Sequence, residues 1–365
     1  MKITGLEAII LYSEVKNPVK DALHTYDAGT TVVTKLLTDE GITGYASSYF
    51  GRGKATASVL KVLLEQELAP QLIGEDPLFT KRIRKKLWGV ADYHGVEGLA
   101  HFGISAIDIA LWDIVGKSVG LPVAKVLGGV RDRVPAYAMA GWYFDTEKEY
   151  IEKCIATAEE GFKAIKLKVG RYSLENDVQR IKAAQRELGE HFTFLVDANQ
   201  GFDEREAIRR GRAYEQLGIR WLEEPLIPQQ KENHARLVQA LDIPIAIGEN
   251  YYAKHQFYDA VQAGAASIYQ LDNRRAGGPT EWMEIGAITD AAGLQLASHG
   301  GGPANVNMLC AIPNAIFLET GSLKKENHML KTQLTMVDGE VLLPDTPGMG
   351  TDVNEDYIRA HRVDG

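Results

Sequence analysis

Two rhythms of apolar and polar positions run along the chain. In the first 120 or so residues strands come first and helices second. Residues 3–12, 31–38 and 42–49 read as strands, with Asp39-Glu40-Gly41 as the turn between the last two. Helical spacing follows at about 54–67, 77–90 and 98–118. The last of these places Ile104, Ile107, Ala110, Leu111 and Ile114 at intervals of three and four, the mark of one buried helix face. This order predicts an α+β unit.

After Pro122 the rhythm changes. Short apolar runs recur at 135–140, 164–169, 193–196, 220–222, 243–247, 267–271, 294–297 and 315–318. Most intervals hold an amphipathic stretch, such as 147–160 or 174–188. Eight strands spaced by roughly one βα unit predict an α/β fold with a parallel sheet closed into a barrel. The competing arrangement is an open doubly wound sheet. From about residue 325 the rhythm fades, and 341–351 predicts an irregular tail that folds back on the first unit. The expected division is 1–125, 126–325 and 326–365.

Composition narrows the class. The chain has 365 residues, 45% apolar and 24% charged, as in ordinary water-soluble globular proteins. Its 40 Lys+Arg against 49 Asp+Glu give a formal net charge of −9, which argues against a nucleic-acid coat. A pocket can differ in sign from the whole surface, so an anionic small ligand is not excluded. Cys154 and Cys310 fit neither a disulfide framework nor a cysteine zinc site, and suit a reducing cytosol. Glu7 interrupts the N-terminus before a signal-peptide core forms. No uninterrupted apolar run approaches the roughly 18 residues of a membrane span. The expected location is cytoplasmic, without membrane or nucleic-acid partners.

The strand ends carry the chemistry. In a parallel barrel the C-terminal ends form one face, where residues distant in sequence converge. Asp197, Glu223 and Glu249 each end an apolar run and stand 26 residues apart. This spacing predicts equivalent positions on three consecutive strands. Singly, each is an ordinary carboxylate at a loop start. Together they would repel one another without a cation, and oxygen ligands suit a hard divalent ion such as Mg²⁺. Lys166 and Lys168 share one side of a strand. One is placed to neutralise a substrate carboxylate; the other, its pKa lowered by neighbouring cations, to act as a base. Asp272 and His299 end the sixth and seventh strands, a pairing that fixes an imidazole tautomer and supports its protonated form. Glu319, on the last strand, is a hydrogen-bond partner for a substrate carboxylate.

These residues resemble the enolase superfamily, and within it the mandelate racemase subgroup, over nearly the whole chain. Local strings add to the likeness: Trp221-Leu-Glu-Glu-Pro, Gly248-Glu-Asn, Ser298-His299 and Pro344-Asp-x-Pro-Gly-x-Gly. The resemblance implies a (β/α)₇β barrel with an N-terminal α+β capping domain completed by the C-terminal tail. It implies one Mg²⁺ per subunit on Asp197, Glu223 and Glu249, binding a small carboxylate substrate. Lys166 would hold negative charge, Lys168 would take the α-proton, and His299, oriented by Asp272, would serve the other face. Glu319 would hydrogen-bond the enediolate, the intermediate that marks this superfamily. A homo-oligomer is also implied.

Substrate choice would lie in loops around 18–30 and 47–56 and after the first barrel strand. His24, Tyr26, Arg52, Trp142 and Asn199 are the candidates there. They make a more polar pocket than a bare phenyl ring needs, with Arg52 placed to pair with a distal carboxylate or hydroxyls. The reading is dehydration of an acid sugar, an aldonate or aldarate, to a 2-keto-3-deoxy acid. The alternatives are a racemase or epimerase of a 2-hydroxy acid, a sugar-lactone cycloisomerase, or a non-catalytic carboxylate-binding barrel. Two departures matter. Ala138-Met139-Ala140-Gly141 lacks the Ser-His of mandelate racemase, and Asn273-Arg274-Arg275 lacks the lysine of the muconate-lactonising branch. Those three residues are candidates for supporting Asp272 or for a subunit contact.

Overall fold

The structure, a computed structural model, describes residues 1–50, 54–323 and 329–363. Strands β1 (Ile3–Lys20), β2 (Thr25–Thr38) and β3 (Thr43–Phe50) form an antiparallel sheet in chain order. Helices α1 (Lys54–Val62), α2 (Thr80–Ala91) and α3 (Leu99–Ser118) cover one face of it. Ile10, Val32, Leu36 and Ala46 meet Leu60, Leu87, Ile104 and Ile107 in a shared core. Gly44 lets α3 approach closely, because a methyl group there would collide with the Ala110 carbonyl. By length and composition α3 could cross a membrane, but 83% of its apolar window is buried inside the protein.

Two expectations shift here. The 18–30 segment is mostly strand, since Val19 pairs with Tyr26 and Lys20 with Thr25. Ladder hydrogen bonds join backbone to backbone, so polar residues extend the hairpin without an apolar pattern. The predicted helix at 54–67 ends at Val62, and a π-helical turn, Leu63–Leu68, keeps Leu64 and Leu68 in the core.

A short helix α4 (Val123–Val126) leads into the barrel. Its strands and helices alternate: β4 (Arg133–Gly141), α5 (Glu147–Glu159), β5 (Ala164–Lys168), α6 (Leu174–Leu188), β6 (Thr193–Asp197), α7 (Glu204–Glu215), β7 (Leu222–Glu223), α8 (Lys231–Ala240), β8 (Ile245–Ile247), α9 (Ala253–Ala263), β9 (Ile268–Asp272), α10 (Gly278–Ala291), β10 (Gln295–His299), α11 (Pro303–Ala311) and β11 (Ala315–Thr320). Each strand pairs in parallel with the next, and β11 pairs with β4, so the sheet closes and is not an open one. The helices after β4, β5 and β6 start at Thr146, Ser173 and Asp203, whose side chains cap the first turn.

Alternation along the strands sorts the side chains. Ile165 and Leu167 face the helices, while Ala164 lies in a separate inner cluster with Tyr137, Leu195, Trp221, Ile268 and Ala297. Tyr137, Trp221 and Phe317 pack edge-on at centroid distances of 5.4–5.9 Å, filling the barrel beneath its mouth. Two residues further along the same strands stand Lys166, Asp197, Glu223, Gln270 and His299. The tail adds a hairpin of β12 (Met336–Val337) and β13 (Glu340–Leu342), with β13 antiparallel to β4, then α12 (Glu355–His361). Leu330, Val353 and Ile358 pack on Ile9, Leu11 and Val33 of the N-terminal sheet, and Lys117 bonds Asp113 and Asp352.

Candidate active site

The acids at the barrel mouth converge. Asp197 and Glu223 are register partners on β6 and β7, and Lys168 is the register partner of Asp197 on β5. Glu249 arrives differently. The register partner of Glu223 on β8 is Ala246, three residues earlier than Glu249. The equal spacing in sequence therefore does not reflect equivalent strand positions. Gly248, at φ +126°, turns the chain beyond the strand end and brings Glu249 round. One carboxylate oxygen from each of Asp197, Glu223 and Glu249 lies within 4.8 Å of the others, and all three residues are buried.

Both lysines enter this cluster. Lys166 Nζ donates to Glu223 Oε1 at 2.6 Å and to Glu319 Oε2, and stands 3.3 Å from Asp197 Oδ2. Lys168 Nζ donates to Asp197 Oδ2 at 2.5 Å. On the far side, Asp272 and His299 are register partners, and His299 Nδ1 lies 2.7 Å from Asp272 Oδ2. The other ring nitrogen, Nε2, faces Glu249 Oε2 at 3.5 Å and Glu319 Oε1 at 4.0 Å.

Burial and charge set the protonation states. Burial alone would push the Lys166 ammonium down, but Glu223 and Glu319 outweigh it and hold it well above its ordinary value. Burial would likewise lower His299, yet Glu249, Asp272 and Glu319 raise it. Burial opposes ionisation of Glu319, and Lys166 and His299 overcome it to hold the carboxyl at about 2. Glu223 goes the other way: burial and the neighbouring Asp197 charge drive it well up. Glu224 is raised too, by burial and Glu249. Glu249 Oε2 is buried without a hydrogen-bond partner. An all-oxygen set with an orphaned carboxylate oxygen and strong mutual repulsion fits a hard divalent cation.

Several residues support the site beyond the expected acids, lysines and dyad. Tyr137 donates its hydroxyl to Glu319 Oε2 at 2.9 Å, and Gln270 Nε2 donates to Glu223 Oε2 at 2.8 Å. Counting back by two from Asp272 finds Gln270, so that signal was present. Glu224, at φ +37°, accepts from Asn250 Nδ2 on both carboxylate oxygens and from Gln200 Nε2 at 3.2 Å. Arg274 clamps Asp272 with Nε, at 2.9 Å, and with Nη2, so it supports the dyad.

The substrate-side candidates separate. Trp142 lies 4.8 Å under Lys168 Nζ, and Tyr26 packs edge-on against Trp142 at 5.6 Å. His24 packs against Tyr26 in turn, and buried Asp21 accepts from both side chains. Asn199 is turned inward, because its backbone N and Nδ2 both donate to Asp197. Arg52 lies outside the described residues.

Comparison with known proteins agrees with this architecture. Residues 6–128 match the mandelate racemase / muconate lactonizing enzyme N-terminal domain, and residues 149–357 match the enolase C-terminal domain-like family. Arabinonate dehydratase of Saccharolobus solfataricus is 33% identical over 91% of this chain and 90% of its own. D-galactarolactone cycloisomerase of Agrobacterium fabrum is 31% identical over 100% and 99%. L-talarate dehydratase from Polaromonas sp. JS666, solved with Mg and L-glucarate, superposes with a TM-score of 0.89 at 30% identity, covering 99% and 97%. With both halves of its fold matched, the chain belongs to the mandelate racemase/muconate lactonizing enzyme family of the enolase superfamily.

Proposed function

We propose that the protein is a Mg²⁺-dependent dehydratase of acid sugars, with 1–125 and the tail 326–365 capping a catalytic barrel at 126–325. The observation that carries it is the pair of proton-transfer groups, Lys168 and the Asp272–His299 dyad, set on separate sides of the acid cluster. Asp197, Glu223 and Glu249 would hold Mg²⁺, which supplies positive charge where a substrate carboxylate gains electron density. Lys166 keeps its ammonium beside that position and stabilises the same charge. Lys168 takes the α-proton. His299, kept protonated by Asp272, gives a proton to the departing β-hydroxyl, so water leaves and the enol product becomes a 2-keto-3-deoxy acid. Glu319 would accept a hydrogen bond from the substrate's 2-hydroxyl, beside the enediolate. The dehydratase relatives support this outcome.

A second reading uses the same groups. The full-length match to a lactone cycloisomerase favours proton abstraction followed by ring opening. The test is incubation with a panel of acid sugars, 2-hydroxy acids and sugar lactones in D₂O with Mg²⁺. A 2-keto product from an open-chain acid sugar supports dehydration. α-Deuterium without a keto product overturns it in favour of racemisation, and a 2-keto product from a lactone alone points to cycloisomerisation.

A further inference from the structure

We propose that the enzyme is built for acid sugars that carry a second carboxylate, and that Arg274 receives it. This rests on the acid-sugar reading above. A cavity of about 360 Å³ lies against the segments that leave the dyad. That volume falls in the range of small-molecule sites, about 300–1,000 Å³. Its wall includes Asn273, Gly300 and Thr320, the residues that directly follow Asp272, His299 and Glu319, and Tyr49 of β3 adds to it from the cap. Among the described residues that line it, Arg274 is the one charged side chain.

Two observations point to what belongs there. Arg274 spends Nε and Nη2 on Asp272, and Nη1 has no partner among the described residues. A guanidinium with a free edge, beside no other charged side chain among the described lining residues, suits a carboxylate. Asn273 supplies the second. It is only 6% exposed, and its Oδ1 has no hydrogen-bond partner. Its Nδ2 donates to Asn305 Oδ1, while Asn305 Nδ2 donates to the Gly300 carbonyl. That chain fixes both amides, so the orphan is an acceptor and calls for an O–H donor. Hydroxyls leading to a terminal carboxylate describe an aldarate. An aldonate, ending in a primary alcohol, would satisfy Asn273 and leave Arg274 Nη1 without its anion.

The experiment measures kcat and KM with Mg²⁺ on six-carbon aldarates and on aldonates of matching stereochemistry, for the unmodified enzyme, Arg274→Gln and Arg274→Lys. Expected is a preference for aldarates, and in Arg274→Gln a fall in aldarate kcat/KM that exceeds the aldonate fall by about 30-fold or more, chiefly in KM. Arg274→Lys should recover part of the preference. Inhibition of the unmodified enzyme by an unreactive dicarboxylate against its monocarboxylate counterpart reads the same selectivity without a substitution. Equal losses on both classes would mean that Arg274 serves only to position Asp272, and would overturn the proposal. So would equal turnover or a preference for aldonates in the unmodified enzyme. Failure to turn over any acid sugar, seen before any variant is made, overturns the acid-sugar reading itself.

Discussion

Asp108 ties the cap to the barrel through a carboxyl that is 1% exposed, and this makes stability depend on pH in a calculable way. It stands on α3 and accepts from Thr280 of α10 twice, from the backbone N at 2.9 Å and from Oγ1 at 2.7 Å. Burial pushes its carboxyl up to about 7, against the partial pull of the Thr280 bonds and Arg84. The unfolded chain titrates near the ordinary aspartate value of 3.8. Between these values the folded protein keeps a proton that the unfolded chain has lost. Stability from Asp108 is therefore full at low pH and falls as pH rises from about 4 to about 7. Asp108→Asn removes the titration. The stability of the natural protein relative to Asp108→Asn should fall by about 3 kcal/mol between about pH 5 and about pH 8. His101 works in the opposite sense, since burial lowers it to about 3 and favours the folded state as pH rises. It is common to both proteins and cancels in the difference. Urea midpoints followed by far-UV circular dichroism measure the gap. A gap that stays constant with pH would refute a buried, protonated Asp108.

Three further outcomes follow from the site. Lys168→Ala and His299→Asn should each lower kcat by about 10²–10⁴ while far-UV spectra and Tm stay near those of the parent; normal turnover in either would remove that residue from proton transfer. Chelation should abolish activity and Mg²⁺ restore it, and Gln270→Leu, which frees Glu223 Oε2 of its 2.8 Å bond, should weaken Mg²⁺ binding about 10–100-fold by titration calorimetry. Tyr137→Phe deletes the hydroxyl that bonds Glu319 and should reduce kcat/KM about 10- to 150-fold, from a loss of about 1.5–3 kcal/mol; an unchanged value would show that Lys166 and Gly300 suffice to hold Glu319.

Much of the chemistry was readable because strands alternate. A residue two places beyond an inward apolar one is also inward, so Lys166, Asp197, Glu223 and His299 follow from Ala164, Leu195, Trp221 and Ala297. Glu249 was identified by a spacing that fold geometry does not use. Its place depends on Gly248, whose left-handed backbone the count of residues does not reveal. The long first hairpin escaped notice because its pairing lies in backbone hydrogen bonds between polar residues.

Local periodicity, then, decided the class of fold and most of the reacting groups, because it reports which side chains share a face. Closure decided the rest. Barrel curvature brings β11 against β4 and sets Glu319 beside Lys166, 153 residues away in sequence. Packing of the cap on the barrel likewise brings Tyr49 to the cavity that Arg274 lines. Contacts of that range are set by how elements pack, and no local pattern encodes them.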